Sequence, residues 1–474
     1  MKAHVLIGAA ASGSGKTTFT LGLLRALKNR SHQVQPFKCG PDYIDTRHHR
    51  MAAGSPSVNL DPFMMSASHL EELYARYTAG ADVAVTEGVM GLFDGYDGMR
   101  GSSAETASAL RLPVILVVNA RSTAYSVAPL LYGFKHFNKE IALVGAVFNF
   151  VASASHYAFL EEACRDAGVE PLGYLPKQAE ITIPSRHLGL SLEEDFCFEA
   201  FADRVARLIE DHVDIDRLLE ITAVRTDGPV RPTPVADSQV GAPLKAVLPS
   251  VASAPAQATA PCQAVSFPPA PRPSCLRIAV ARDAAFQFIY EENLRMLSRL
   301  GILTFFSPLE DVELPEADLV YLPGGYPELH LPALSANRPM RQSVYAYIEA
   351  GGRMIAECGG MMYLCREIAD TDGTPYPMVG ILDQSATMEP MKLRLGYRTL
   401  LCAGCRLQGH EFHYSRIRSS ARTLPSIAAA YTAKGVPTDT PLYRYKNLLA
   451  GYTHLYWADP ATNEWFYRFL DGRF

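Results

Sequence analysis

HVLIGAAASGSGKTTFTLGLL, residues 4–24, runs from an apolar stretch through a loop of small residues into a helix start. That order is the signature of a phosphate-binding loop, in which backbone N–H groups at a helix N-terminus face an anion. The pattern G-x-x-x-x-G-K-[ST] is met at Gly15, Lys16 and Thr17, while its first glycine is Ala10 here. Gly13, Ser14, Gly15, Lys16, Thr17 and Thr18 are the expected nucleotide contacts. Lys16 would neutralise the β/γ phosphates and the Thr17 hydroxyl would reach Mg²⁺.

Outward from that loop, the apolar runs HVLIGA, QVQPFK, ADVAVTEG, PVILVVNA and IALVGAVFNF alternate with helical stretches such as 16–29 and 155–168. Continuous apolar strands alternating with helices predict a doubly wound parallel sheet covered on both faces. Such sheets bind ligands at strand C-termini. Glu87 ends one strand, and Asp42 and Asp45 follow another in KCGPDYID. Asp94 lies in the Gly-rich GVMGLFDG. Glu87 and Asp42, with Thr17, are the expected Mg²⁺ groups. The adjacent His48 and His49 are expected on opposite sides of an extended chain, so no metal is assigned to them. Partitioning ATPases with a similar loop carry a further lysine where this chain has Ala11.

From about 225 to 274 the pattern dissolves into Pro, Ala, Ser and Val, the composition of a semi-extended linker. At 276 the alternation resumes with LRIAVA, a helix around 288–300, ILTFFS, ADLVYLPGG, a helix near 331–349 and GGRMIAE. The expected division is 1–224, linker 225–274, and 275–474. In the last part AECGGMMYL puts Cys358 where a strand turns sharply into a helix, a position that favours a nucleophilic thiol. Gly359, and Gly325 of LPGGYPE, would donate N–H groups to a tetrahedral oxyanion. His454 of AGYTHLYW is the expected base. His410 and His413 of GHEFHYS lack the helical spacing of a zinc protease and read as structural or substrate-lining.

The 474 residues carry a net charge of only -5, which gives no nucleic-acid footprint. No apolar run reaches the length of a membrane span. Nine scattered cysteines suggest a reduced, cytoplasmic protein. Cys402 and Cys405 form a lone C-x-x-C, read as incidental. An ATP site and an activated thiol on one chain suggest a glutamine-dependent amide-forming ligase.

ASGSGKTT, KCGPDYIDTRHH, NLDPFM, TEGVMGLFDG, IPSRHLGL, LPGGYPE, AECGGMMYL, GHEFHYS and YTHLYW, in this order, resemble the cobyrinic acid a,c-diamide synthase family. The resemblance implies a P-loop, dethiobiotin-synthetase-like ATP domain followed by a flavodoxin-like class I glutamine amidotransferase domain. It implies amidation of the a and c carboxylates of cobyrinic acid through acyl phosphates, with ATP and L-glutamine as co-substrates and Mg²⁺ as cofactor. Cys358 is then similar to the family's nucleophile and His454 to its base. Asp42, Asp45 and Glu87 resemble its active-site and Mg²⁺ groups, and Asp94 a residue near the corrinoid carboxylate. A homodimer is an assembly open to it, with neither nucleic acid nor membrane as partner. Hydrogenobyrinic acid and nickel-sirohydrochlorin are the alternative substrates. A regulatory or scaffolding ATPase with an inactive amidotransferase domain is the alternative class. The chain departs from the family in reading His454-Leu455-Tyr456-Trp457 where relatives often read H-L-H-F, which leaves Tyr456 without a role. The linker is also long for the family, and no third partner of the Cys–His pair can be named.

Overall fold

The computed structural model describes residues 2–178, 185–186, 189–190, 197–224 and 275–474. The expected linker, Cys262 and half of IPSRHLGL lie outside the described residues.

The first half alternates as the apolar pattern requires. Its elements are β1 (Ala3–Ala9), α1 (Lys16–Asn29), β2 (Val34–Cys39), α2 (Ile44–Ala53), β3 (Val58–Leu60), α3 (Ala67–Thr78) and β4 (Val83–Glu87). There follow α4 (Ser103–Leu110), β5 (Val114–Asn119), α5 (Val127–Phe137), β6 (Leu143–Val151), α6 (Ala154–Asp166) and β7 (Glu170–Pro176). The strands form one seven-stranded sheet in the order β3-β2-β4-β1-β5-β6-β7. Every pairing in it is parallel. Two-residue strands β8 (Ser185–Arg186) and β9 (Gly189–Leu190) precede helices α7 (Phe198–His212) and α8 (Ile215–Ile221). Helix α1 buries Phe19 through Leu27 between the sheet and α7. Each fully buried Leu or Phe there contributes about 1.5–3 kcal/mol of transfer free energy.

The second half opens with β10 (Leu276–Ala281), α9 (Glu291–Leu300), β11 (Gly301–Phe306) and β12 (Leu319–Leu322). The single helix expected near 331–349 is two, α10 (Leu331–Ala336) and α11 (Arg338–Glu349). Pro339 cannot continue a helix, and the Asn337 side chain accepts the Met340 N–H to start a new one. Then come β13 (Arg353–Glu357), α12 (Gly359–Leu364), β14 (Cys365–Ala369), β15 (Pro375–Pro377) and β16 (Leu382–Thr387). The hairpin β17 (Arg394–Cys402) and β18 (Cys405–His413) is followed by β19 (Arg416–Ser419), β20 (Ala429–Thr432) and β21 (Pro437–Thr438). The chain closes with β22 (Leu442–Tyr445), β23 (Leu448–Gly451), β24 (His454–Leu455) and α13 (Glu464–Leu470). Its main sheet runs β11-β10-β12-β13-β23-β22, and β24 leaves it to join β18 in a separate antiparallel sheet.

The halves touch through buried side chains. Tyr290 and Tyr456, from the second half, belong to the apolar cluster on one face of the first sheet. The Tyr397 hydroxyl donates to Asp61 Oδ2 at 2.8 Å, Gln408 donates to the Phe63 carbonyl, and the Tyr77 hydroxyl donates to Glu292. Tyr456 Oη lies 2.8 Å from His69 Nε2 on α3. That contact gives Tyr456 its structural role: it seats β24 against the first half. No helix among the described residues is long and apolar enough to cross a membrane.

Candidate active sites

The phosphate loop turns on Gly15, whose φ is 86° and where a Cβ would sit 1.8 Å from Asn149 Nδ2. Only glycine meets both demands. Asn149, at the end of β6, donates to the Ser14 carbonyl and so fixes the loop against the sheet edge. Lys16 donates to the Met90 carbonyl at 3.0 Å, and the Leu92 N–H donates to the Ala9 carbonyl. The 88–95 loop therefore lies across the phosphate loop. Asp94 is in this loop, with Oδ2 accepting the Gly91 N–H. Burial, together with the Lys38 charge, brings Lys16 down to about 8.

The remaining acids converge below the loop. Glu87 carries no exposed surface; its Oε1 accepts from the Thr17 hydroxyl at 2.7 Å and from Lys38 at 2.9 Å. Its Oε2 lies 2.7 Å from His49 Nε2. Lys38 also donates to Asp45, so one buried cation bridges two carboxylates. Burial alone would lower Lys38, but Asp45 and Glu87 hold it well above the usual lysine range. Burial would likewise raise Glu87, and the Lys38 and His49 contacts hold it well below. Asp42 Oδ1 accepts the N–H groups of Ile44 and Asp45 and so caps α2. Desolvation and the Asp45 charge push Asp42 up to about 6.

Lys38 and His49 are absent from the sequence-derived site. A lysine in the last turnings of a buried strand, QPFKC, was the available signal for the first. The expectation of an extended chain at His48-His49 is overturned. Both are buried in α2, because Asp42 caps a helix that Gly54, in left-handed conformation, ends. His49 thereby reaches Glu87 and Ser57.

Mg²⁺ is bound by hard oxygen donors, commonly a P-loop hydroxyl, a carboxylate and phosphate oxygens. The Thr17 hydroxyl against the Glu87 carboxylate supplies such a pair, and the residues fit. No group of three or more His, Cys, Asp or Glu among the described residues forms a metal cage of its own.

In the second half, Cys358 follows β13 with φ 47° and ψ -108°, the strained elbow expected of a nucleophile on a strand-to-helix turn, but the thiol is buried where that elbow was expected to expose it. Gly324 approaches His454 so closely that a Cβ there would lie 2.0 Å from Cε1. Gly359 similarly faces Gly325, whose N would lie 3.1 Å from an added Cβ. His454 thus lies against Gly324, and Gly325 against Gly359, the residue after Cys358. The expected gain of the thiol from the helix N-terminus is outweighed. Helix α12 has six residues, and burial and the Glu328 charge push Cys358 up despite the Gly359 N–H. Glu328 was missed by sequence reasoning; burial raises it to about 7 and its Oε2 has no hydrogen-bond partner. Glu357, directly before the thiol, is pushed up to about 8 by burial, against the Tyr321 hydroxyl and the Leu455 N–H that it accepts.

His454 makes no hydrogen bond through either ring nitrogen, and burial with the neighbouring His410 brings it down to about 3. His410 is also buried and brought down to about 3. His413 stacks on Tyr452 at 3.7 Å. Glu411, between them in sequence, pairs with Arg398 at 2.9 Å. Cys402 and Cys405 face each other across the β17–β18 turn as free thiols.

Residues 5–190 match the CobQ/CobB/MinD/ParA nucleotide binding domain, and residues 277–462 match the CobB/CobQ-like glutamine amidotransferase domain. The fold and sites thus define a class: a P-loop ATP-binding α/β domain joined to a glutamine amidotransferase domain. A cobyrinate a,c-diamide synthase of Listeria innocua is 38% identical over 96% of this chain and 97% of its own. A hydrogenobyrinate a,c-diamide synthase of Brucella abortus is 40% identical over 87% of this chain and 89% of its own. A solved glutamine amidotransferase structure covers 41% of this chain and 98% of its own, at 18% identity and TM-score 0.30, too slight a likeness to bear on function. The chain belongs to the family of cobyrinate and hydrogenobyrinate a,c-diamide synthases, ATP-binding ligases of cobalamin biosynthesis.

Proposed function

We propose that this enzyme amidates the a and c carboxylates of cobyrinic acid, spending one ATP and one glutamine on each. A carboxylate is a poor acyl donor, so the γ-phosphoryl group passes to it first and an acyl phosphate results. Lys16 would neutralise the phosphates, and Thr17, Glu87 and Asp42 are the residues that would hold Mg²⁺. Bound there, Mg²⁺ would neutralise charge on the phosphate oxygens. Asp45 and Asp94 orient the corrinoid carboxylate near the phosphate loop.

In the second domain the Cys358 thiol attacks the glutamine amide carbonyl and its proton passes to His454. Gly325 and Gly359 N–H groups receive the oxyanion. The proton leaves with ammonia, and water then releases glutamate from the thioester. Burial disfavours the His454 cation, so the ring is neutral before it takes that proton. Free ammonia must reach the acyl phosphate unprotonated, which is why both sites share one chain. The ligase domain is assigned to 1–224 and the glutaminase domain to 275–474, with 225–274 between them, a division supported by family matches over 5–190 and 277–462. The free cysteines among the described residues fit a reducing cytoplasm.

The observation that supports this reading is the close approach of Gly324 to His454 and of Gly325 to Gly359, the residue after Cys358, on a chain that also holds the Thr17–Glu87–Lys38 site. Cys358→Ala should lower glutamine-dependent amidation roughly 10³-fold or more while leaving ammonium-driven amidation within about twofold. Loss of both activities in a folded protein would overturn the two-site mechanism. Hydrogenobyrinic acid is the second substrate reading, favoured by the 40% identity to the Brucella protein. Competition between the two acids in one reaction distinguishes them.

A further inference from the structure

A catalytic histidine works only if its imidazole is held in one orientation. In Cys–His sites a third side chain usually does this through a hydrogen bond to the ring. His454 has none. Both its nitrogens are buried without a partner. Glu411, the acid whose charge it feels, gives its oxygens to Arg398 at 2.9 Å and Thr453 at 3.1 Å.

Packing holds the ring instead. Gly324 closes one side, with no room for even a methyl group between it and Cε1. Tyr43 lies against the ring with centroids 5.3 Å apart, and Phe288 follows at 6.1 Å. Tyr43 and Phe288 are stacked at 5.2 Å with planes 8° apart, and Tyr290 contacts Tyr43 at 4.8 Å. Phe288 is braced in turn by Tyr326 at 4.9 Å.

Tyr43 does not belong to the cysteine domain. It immediately precedes α2 and sits between Asp42, which caps that helix, and Asp45, which pairs with Lys38. Any shift of those two acids on filling the ligase site is carried through one residue of backbone to the Tyr43 ring. We propose that Tyr43 is the positioning residue for His454, and that it makes glutamine hydrolysis answer to occupancy of the ligase site. The inference rests on the reading of Cys358 and His454 as the glutaminase pair. Coupling of this kind prevents glutamine from being consumed when no activated carboxylate awaits ammonia. A flat aromatic face suits the task because it restricts ring rotation without a hydrogen bond, so the tyrosine hydroxyl is dispensable.

The test is glutamate release by the full chain. Tyr43→Ala should lower kcat for glutamine hydrolysis about tenfold or more while KM for glutamine stays within about twofold. Tyr43→Phe should restore kcat to within about twofold of wild type, a rescue that a lost hydroxyl contact would not permit. Phe288→Ala, which removes the other half of the stack, should reproduce the Tyr43→Ala signature. ATP, Mg²⁺ and cobyrinic acid together should change kcat of the wild type but not of Tyr43→Ala. If Tyr43→Ala does not fold, Tyr43→Leu serves with the same expectation. Wild-type kcat with intact response in Tyr43→Ala or Tyr43→Leu overturns the proposal, as does a loss that Tyr43→Phe fails to rescue. A wild type that releases no glutamate, or a Cys358→Ala variant that releases it as fast, overturns the glutaminase reading instead.

Discussion

Glu87 has no exposed surface and still keeps its charge, because Lys38 and His49 lie 2.9 and 2.7 Å from its two oxygens. Removing one partner of a buried ion pair leaves an uncompensated charge. Lys38→Met would strand two carboxylates, Glu87 and Asp45, and should cost about 3–5 kcal/mol in urea unfolding. Lys38→Met with Glu87→Gln should regain part of that stability yet remain unable to transfer phosphate. Equal stability of wild type and Lys38→Met would mean the bridge is not formed in solution. At the thiol, the Glu328 carboxylate raises Cys358 on top of burial. Glu328→Gln should therefore shift the rate of iodoacetamide alkylation of Cys358 upward at a given pH. The shift should appear above pH 7, where Glu328, raised to about 7, is charged. The strand end at Glu87, the elbow at Cys358 and the strand at His454 were legible in the sequence because local pattern marks each of them. Lys38, His49 and Glu328 were not, since their importance lies in partners that local pattern does not reveal.

Two elements carry the junction between the halves, the Asp61 turn and β24. Asp61 is wholly buried, accepts the N–H groups of Phe63 and Met64 and the Tyr397 hydroxyl, and is pushed up to about 6 by burial. A carboxyl raised above its unfolded value near 3.8 contributes stability that is full below that value and lost as pH rises through 6. Asp61→Asn does not titrate, so its Tm relative to wild type should rise between pH 4 and pH 7. The gain should approach roughly 3 kcal/mol. A pH-independent difference in scanning calorimetry would contradict it. Tyr456→Phe leaves His69 without its 2.8 Å partner and should cost about 1 kcal/mol. Apolar runs marked β1, β2, β4, β5 and β6 to within a few residues, since buried strands have an unmistakable composition, but three-residue β3 and the Gly- and Pro-containing β7 carried no such run. The helix expected near 331–349 is two because Asn337 caps a new helix and Pro339 has no N–H to continue the old one, local signals that the apolar spacing across them masks. Strand β24 left the main sheet for β18, a choice made by contacts some 45 residues away in sequence rather than by its own pattern.

At the scale of the whole molecule, the two halves share an apolar cluster through Tyr290 and Tyr456 and bring Tyr43 of one against His454 of the other. Their domain types could be read from the order of motifs, but the shared wall of Tyr43, Phe288, Tyr290 and Tyr326 could not, because it joins residues nearly 300 positions apart. That wall is where the chemistry of one half meets the other. The central claim is that this chain uses ATP to activate two carboxylates of one tetrapyrrole acid and glutamine to amidate both. The direct measurement is mass spectrometry of cobyrinic acid after reaction with the full chain, ATP, Mg²⁺ and glutamine labelled with ¹⁵N in its amide. The account predicts a diamide with both nitrogens labelled, and one ATP and one glutamine consumed for each amide. ATP and glutamine consumed without amidation, or a product that stops at one amide however long the reaction runs, would contradict it.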